Sequence, residues 1–254
     1  MTRTRTAGGP YVREARADRL PSEGWPFTIP AVRALADGDV LDLDHPVTLL
    51  CGDNGSGKST LVEAIAAAAG LNVEGGSRNF QFSTRTTEVP LAEHLRLVRH
   101  PGRRPRDGFF LRAESYFNVA SEIERLDQEP DTPPLLPTYG GVSPHERSHG
   151  ESFLDLVTHR FGTDGLYVLD EPEAALSVTG CMALLAQVME LSEGGSQFII
   201  ATHSPILLAI PGAVIHQLDE HGFERLEYDD TLPVVTMRAF LADPARFVHR
   251  LRAD

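Results

Sequence analysis

The residues Gly52, Asp53, Asn54, Gly55, Ser56, Gly57, Lys58, Ser59 and Thr60 follow one another, and Gly52, Gly57, Lys58 and Ser59 fit the pattern G-x-x-x-x-G-K-[ST]. Glycines let a backbone fold tightly enough for successive N–H groups and a helix N-terminus to face phosphate oxygens. Lys58 would reach β- and γ-phosphates, and the Ser59 hydroxyl would ligate Mg²⁺. Lys58 is also the single lysine of the chain, every other basic side chain being arginine. A sequence that otherwise avoids lysine keeps one where a phosphate loop needs a compact ammonium on a flexible stem.

A second group of residues suits the other half of a hydrolytic site. Asp170 and Glu171 end the apolar run that begins at Gly165. Adjacent carboxylates there are costly to explain as packing. Asp170 would hold Mg²⁺ opposite Ser59, and Glu171 would polarise an attacking water. His203 follows another apolar run, 197–202, where an imidazole could contact a γ-phosphate or the catalytic carboxylate.

The elements that must position these groups are legible around them. Val47–Cys51 reads as a buried strand, and 61–69 as an Ala-rich helix stopped by Gly70. Residues 181–191 read as a helix ended by Gly194 and Gly195, and Pro205 opens a short helix. Segments 213–218 and 223–228 suit a hairpin, and 236–252 two short helices, the second opened by Asp243 and Pro244. Residues 1–21 show no sustained period, so the first ten or so are expected to be disordered. Between Trp25 and Leu43 two short strands are expected, a further strand at 80–83, a helix over 89–98, a strand at 108–113 and a long Pro-rich loop over 127–149. Tyr11, Trp25 and Phe27 are candidates to stack on an adenine ring, or ordinary core and rim aromatics. Arginines at 103, 104 and 106 suit a solvated loop better than a nucleic-acid contact.

Length and composition narrow the class. At 254 residues, 41% hydrophobic and 23% charged, the chain can bury a substantial core as one domain or a domain with an inserted lobe. No apolar run is long enough for a bilayer and no signal-like segment opens the sequence, so a cytoplasmic protein without membrane insertion is expected. Cys51 and Cys181 have no metal-site spacing and form no disulfide framework. A net charge of -13 works against non-specific DNA binding, leaving DNA a possible partner that charge does not indicate.

Taken in order, these motifs resemble the ABC-type ATPases, the group that includes transporter nucleotide-binding subunits and SMC- and RecF-like DNA-maintenance ATPases. They look most like small stand-alone bacterial ATPases labelled AAA family, which share strings such as SHGESF, LDEPEAALS and FIIATHSPILLA. On that resemblance Gly52–Thr60 matches the Walker A loop, 166–171 the Walker B strand, 173–177 the D-loop and His203 the switch histidine. Ser148, Gly150 and Glu151 match the middle of an LSGGQ-like signature ahead of a helix. The signature lacks its leading leucine and has His149-Gly150 in place of two glycines, and Glu114 and Gln81 are the two candidates for the Q-loop position. The segment between the halves is too short and Pro-rich for an SMC-like coiled coil.

The resemblance implies an α/β P-loop NTPase fold: a mostly parallel sheet, N-terminal antiparallel strands, and a helical and signature lobe inserted over about 72–160 of a single 1–254 domain. It implies ATP and Mg²⁺ as ligands and ATP hydrolysis as activity. It also implies a head-to-tail homodimer, with each ATP between one copy's Walker A loop and the other copy's signature helix, driving a macromolecular partner. A phage-defence or DNA-repair switch, and the ATPase subunit of a transporter, are the alternatives.

Overall fold

The computed structural model describes residues 9–73, 76–77, 89–113, 116, 125, 127 and 149–252. In chain order the elements are β1 (Val12–Ala17), α1 (Pro30–Ala36), β2 (Leu41–Asp42), β3 (Val47–Gly52), α2 (Lys58–Ala69), β4 (Gly76–Ser77), a 3₁₀ turn at Pro90–Glu93, β5 (Leu95–Arg99) and β6 (Asp107–Arg112). There follow α3 (His149–Arg160), β7 (Gly165–Asp170), a 3₁₀ turn at Pro172–Ala175, α4 (Val178–Glu193), β8 (Gln197–Ala201), α5 (Pro205–Leu208), β9 (Val214–Asp219), β10 (Gly222–Leu226), α6 (Leu232–Ala242) and α7 (Pro244–Arg250).

The main sheet has the order β10-β9-β3-β8-β7-β6-β4. Strands β9, β3, β8, β7 and β6 run parallel, and β10 and β4 add antiparallel edges. Strands buried on both faces read as continuous apolar runs, and their side chains divide between two cores with period two. Leu49, Phe109, Leu169 and Ile200 enter the core roofed by α3 and α4. Leu50, Phe110, Val168 and Ile199 enter the one covered by α1, α2 and the small antiparallel sheet β2-β1-β5.

Buried Gln197, the first residue of β8, ties the two sheets together. Its Oε1 accepts from the N–H of Tyr11 (2.8 Å) and of Val12 (2.9 Å). Its Nε2 donates to the carbonyls of Val12 (2.8 Å) and Leu43 (2.7 Å), so the whole amide is satisfied without water.

Several local readings are corrected. The segment 89–98 is not a helix: it forms the 3₁₀ turn and then β5, antiparallel to β1 with Ala15 opposite Leu97. Leu91, Leu95 and Val98 fit a helical period, but pairing with a distant strand overrides it. β1 lies in the stretch 1–21, where the sequence shows no sustained period, and Gly9 is docked through its N–H on the Gly195 carbonyl. Between Trp25 and Leu43 the chain forms α1 and the two-residue β2 rather than two strands. Pro30 opens α1, which buries Ala31, Val32, Ala34 and Leu35. The hairpin β9-β10, the helix over 181–191 and the paired terminal helices are as expected. Residues 1–8, the strand at 80–83, Gln81, Glu114, Ser148 and most of the Pro-rich loop lie outside the described residues.

Candidate active site

The turn between β3 and α2 is shaped by glycine. Gly52, Gly55 and Gly57 have φ of +141°, +83° and +100°, the left-handed region that a side chain disfavours. A Cβ at Gly52 would lie 2.2 Å from the Leu218 carbonyl oxygen, and one at Gly57 2.5 Å from Ile29 Cγ2. Backbone therefore packs where no side chain fits, while the apex at Asp53, Asn54 and Gly55 stands exposed. Lys58 begins α2 and is buried, its Nζ donating to the carbonyls of Gly52 (3.0 Å) and Asp53 (2.9 Å). Burial pulls its pKa below the usual lysine value, against the opposing pull of Glu171 and Asp170. The buried Ser56 hydroxyl leans over Gly52 without a hydrogen-bond partner, a polar group suited to an incoming phosphate oxygen.

Asp170 ends β7, at the same edge of the sheet as the end of β3. Its carboxylate is 1% exposed, and Oδ1 accepts from Ser59 Oγ at 3.0 Å. Burial raises its pKa to about 6, although the Arg112 guanidinium and the Ser59 hydroxyl both favour the ionised form. Glu171 sits at φ +47°, ψ +51°, a strained backbone for a glutamate, held by its N–H on the Ala201 carbonyl at 2.9 Å. That turn brings Glu171 Oε1 to 3.3 Å from His203 Nε2. The contact has ion-pair distance but not hydrogen-bond geometry, and the ring nitrogen has no hydrogen-bond partner. Of the two partners open to His203 in the sequence, the carboxylate lies within ion-pair distance.

The pair Ser59–Asp170 fits Mg²⁺. A hydroxyl and a buried carboxylate at hydrogen-bond distance suit an ion that takes its other ligands from water and phosphates. Among the described residues no cluster of three acidic, His or Cys side chains is placed to hold a metal.

Gly150 and Glu151 are not brought to this loop. They line a separate cavity of about 470 Å³ with Leu154 and residues 175–177, 179 and 180. A Cβ on Gly150 would lie 3.1 Å from the Ala175 carbonyl oxygen, so the start of α3 packs directly on the turn after Glu171. Of the aromatic candidates, Tyr11 is buried with its hydroxyl donating to the Gly195 carbonyl (3.0 Å), and Phe27 is buried edge-on to His94. Trp25 is 70% exposed, in the segment whose Ile29 packs on Gly57. Cys51 is a buried filler, its thiol pushed up to about 12 by burial.

Three residues of the site escape a reading of motifs. Arg112, opposite Asp170 in the β6–β7 ladder, places Nε 3.3 Å from Asp170 Oδ2. Its Nη1 also donates to Glu63 Oε1 on α2. Glu173 accepts the His203 N–H on Oε1, tying the histidine's backbone to the turn after the catalytic strand. Arg112 and Glu63 belong to no contiguous pattern, and the D-loop-like stretch that Glu173 opens gives no sign that His203 is its partner. The one signal in the sequence is an arginine closing an otherwise buried strand.

Two family profiles match the chain, one described as "AAA domain" over residues 28–104 and one, also an AAA domain, whose description names the AbiEii toxin of type IV toxin–antitoxin systems, over 121–209. Among solved structures, an ABC transporter described as of metal-chelate type, in an inward-facing conformation, is similar at TM-score 0.50 and 15% identity, covering 89% of this chain and 88% of that one. The SMC head domain from Thermotoga maritima is similar at TM-score 0.43 and 14% identity, covering 85% and 98%. A nucleotide-free ATP-binding cassette from an ABC transporter gives 0.46 and 16%, covering 92% and 96%. No curated protein matches the sequence at a significant level. Fold, motif order and the two AAA-domain profiles together support a P-loop ATPase fold. Among the described residues no helix is long and apolar enough to cross a membrane.

Proposed function

We propose that this chain binds ATP with Mg²⁺ and hydrolyses it as a head-to-tail homodimer, passing the resulting motion to a macromolecular partner. The observation that carries the proposal is the meeting at one sheet edge of the Ser59–Asp170 hydrogen bond and the Glu171–His203 contact beside the glycine loop. The backbone N–H groups of 52–60 and the Lys58 ammonium bind the phosphates, Lys58 leaving the Gly52 and Asp53 carbonyls to do so. Ser59 and Asp170 would hold Mg²⁺, which when bound neutralises charge on the β- and γ-phosphates. Glu171 orients and polarises water, and His203 fixes the Glu171 carboxylate and presents a ring nitrogen to the terminal phosphate. Trp25, exposed while Tyr11 and Phe27 are buried, is the aromatic we propose for stacking on adenine.

Gly150 and Glu151, with Ser148 ahead of them, would complete the site of a second copy. Their position on a cavity that shares no lining residue with the one beside Gly52, Asp53 and His203 supports that reading. The test is Glu171→Gln. Turnover of Mg²⁺-ATP should fall at least about 100-fold while ATP binding persists, and the variant should elute as a dimer in ATP and as a monomer without it. A monomer under saturating ATP would remove the dimeric mechanism, and unchanged turnover would remove Glu171 from catalysis.

A second reading is an ATP-gated switch in DNA repair or phage defence, and the second family profile, whose description names a type IV toxin–antitoxin system, is compatible with such a switch. In that case ATP acts chiefly as a conformational ligand, and turnover stays very slow in the presence of any partner. A charge of -13 argues against DNA as that partner, and salt-dependent DNA binding seen only with ATP would reverse the point.

A further inference from the structure

Arg112 stands where a permanent cation has a consequence for the metal-holding carboxylate. Ser59 and Glu63 lie one turn apart on α2, so both face the end of β7. Asp170 Oδ1 accepts from Ser59, while Oδ2 lies 3.3 Å from Arg112 Nε, so both oxygens of this 1%-exposed side chain have protein donors beside them. The same guanidinium holds Glu63, linking α2, β6 and β7 through two carboxylates and one cation. An arginine does not lose its charge, and its fork can serve two acids at once.

We propose that Arg112 is the built-in counter-ion of the Asp170 site, a positioning residue that stabilises the nucleotide-free protein and sets the concentration at which a divalent cation is accepted. The inference rests on the reading of Asp170 as a metal-holding residue. Without Arg112, the buried Asp170 carboxylate would lose the cation beside its Oδ2, which is costly. With Arg112, one positive charge is shared by Asp170 and Glu63, and that fixed charge near Oδ2 opposes a further cation. Removing the arginine therefore has effects of opposite sign: the empty protein loses stability, and its affinity for the divalent ion rises. A residue that only packed the strand would lower the first and leave the second unchanged.

The test measures two quantities in the full chain: the thermal midpoint without nucleotide, and the Mg²⁺ concentration that half-saturates binding of a fluorescent ATP analogue. Wild type, Arg112→Met, Arg112→Gln, Arg112→Lys and Asp170→Asn are compared. Either neutral variant should melt several degrees lower and need about tenfold less Mg²⁺. Arg112→Lys, which keeps the charge but not the fork, should stay near the wild-type Mg²⁺ midpoint while still losing stability. An unchanged or higher Mg²⁺ midpoint in the neutral variants overturns the proposal while leaving Asp170 as metal holder. A wild type indifferent to Mg²⁺, with Asp170→Asn equally indifferent, overturns that underlying reading and the proposal with it. Should Arg112→Met not fold, Arg112→Gln, which retains a polar head, decides the Mg²⁺ midpoint.

Discussion

Ser59 and Asp170 stand 111 residues apart in sequence and share a hydrogen bond of 3.0 Å across the mouth of the sheet. This bond connects the first turn of α2 to the end of β7, the two elements that carry the proposed metal-holding pair. If both residues serve one ion, Ser59→Ala and Asp170→Asn should each weaken Mg²⁺-dependent ATP binding by roughly tenfold or more and leave metal-free binding nearly unchanged. The double variant should lose little beyond the worse single one, because groups that share one site are not additive. Strict additivity in a binding titration would separate their roles.

Burial of Asp170 makes stability depend on pH with a determinate sign. A carboxylate whose folded pKa is about 6, against an unfolded value near 3.8, binds its proton more tightly in the native state. Its contribution to stability is therefore complete below the unfolded value and is lost as pH rises through about 6, a loss on the order of 3 kcal/mol. His216, buried with its pKa lowered, works in the opposite direction, costing stability as pH falls below its unfolded value of 6.5. Urea unfolding of wild type and Asp170→Asn between pH 4.5 and 7.5 isolates the first effect in the difference curve. The advantage of wild type should shrink with rising pH, and a flat difference would contradict the assignment.

The glycines of the loop should differ in tolerance. At Gly52 a methyl group meets the Leu218 carbonyl at 2.2 Å, whereas at Gly55 nothing lies within 4 Å. Gly55→Ala should then cost only the left-handed backbone penalty, about 1–2 kcal/mol. Gly52→Ala adds displacement of β9 backbone, for a total above about 3 kcal/mol or failure to fold. Equal melting temperatures for the two variants would contradict this ranking.

Glu173 lies outside direct contact with the reacting groups in this scheme, yet its carboxylate accepts the His203 N–H. Glu173→Ala should lower kcat by about tenfold through a looser His203, with little change in ATP affinity. Glu173→Gln keeps an acceptor and should recover most of the rate. A matching loss in both variants would point to the charge instead of the positioning bond.

What could be read without coordinates was what neighbouring residues specify together. The glycine loop, its strand and its helix occupy one unbroken stretch, and their chemistry is a matter of local conformation and spacing. The same holds for Asp170 and Glu171 at the end of an apolar run, for His203 after another, and for the terminal hairpin and helices. Three-dimensional packing decided the remainder. β5 exists because β1 pairs with it, and a helical spacing at Leu91, Leu95 and Val98 carries no information about a partner some eighty residues earlier. That Tyr11 and Phe27 are buried while Trp25 is exposed depended on the assembled core. Arg112 and Glu63 enter the site only through strand register and helix docking, which bring together charges that no contiguous motif contains, and the contact of Glu173 with the His203 N–H is likewise a product of packing. Chemistry encoded in a single turn survives as a string of letters, whereas a counter-ion is defined by what lies opposite it.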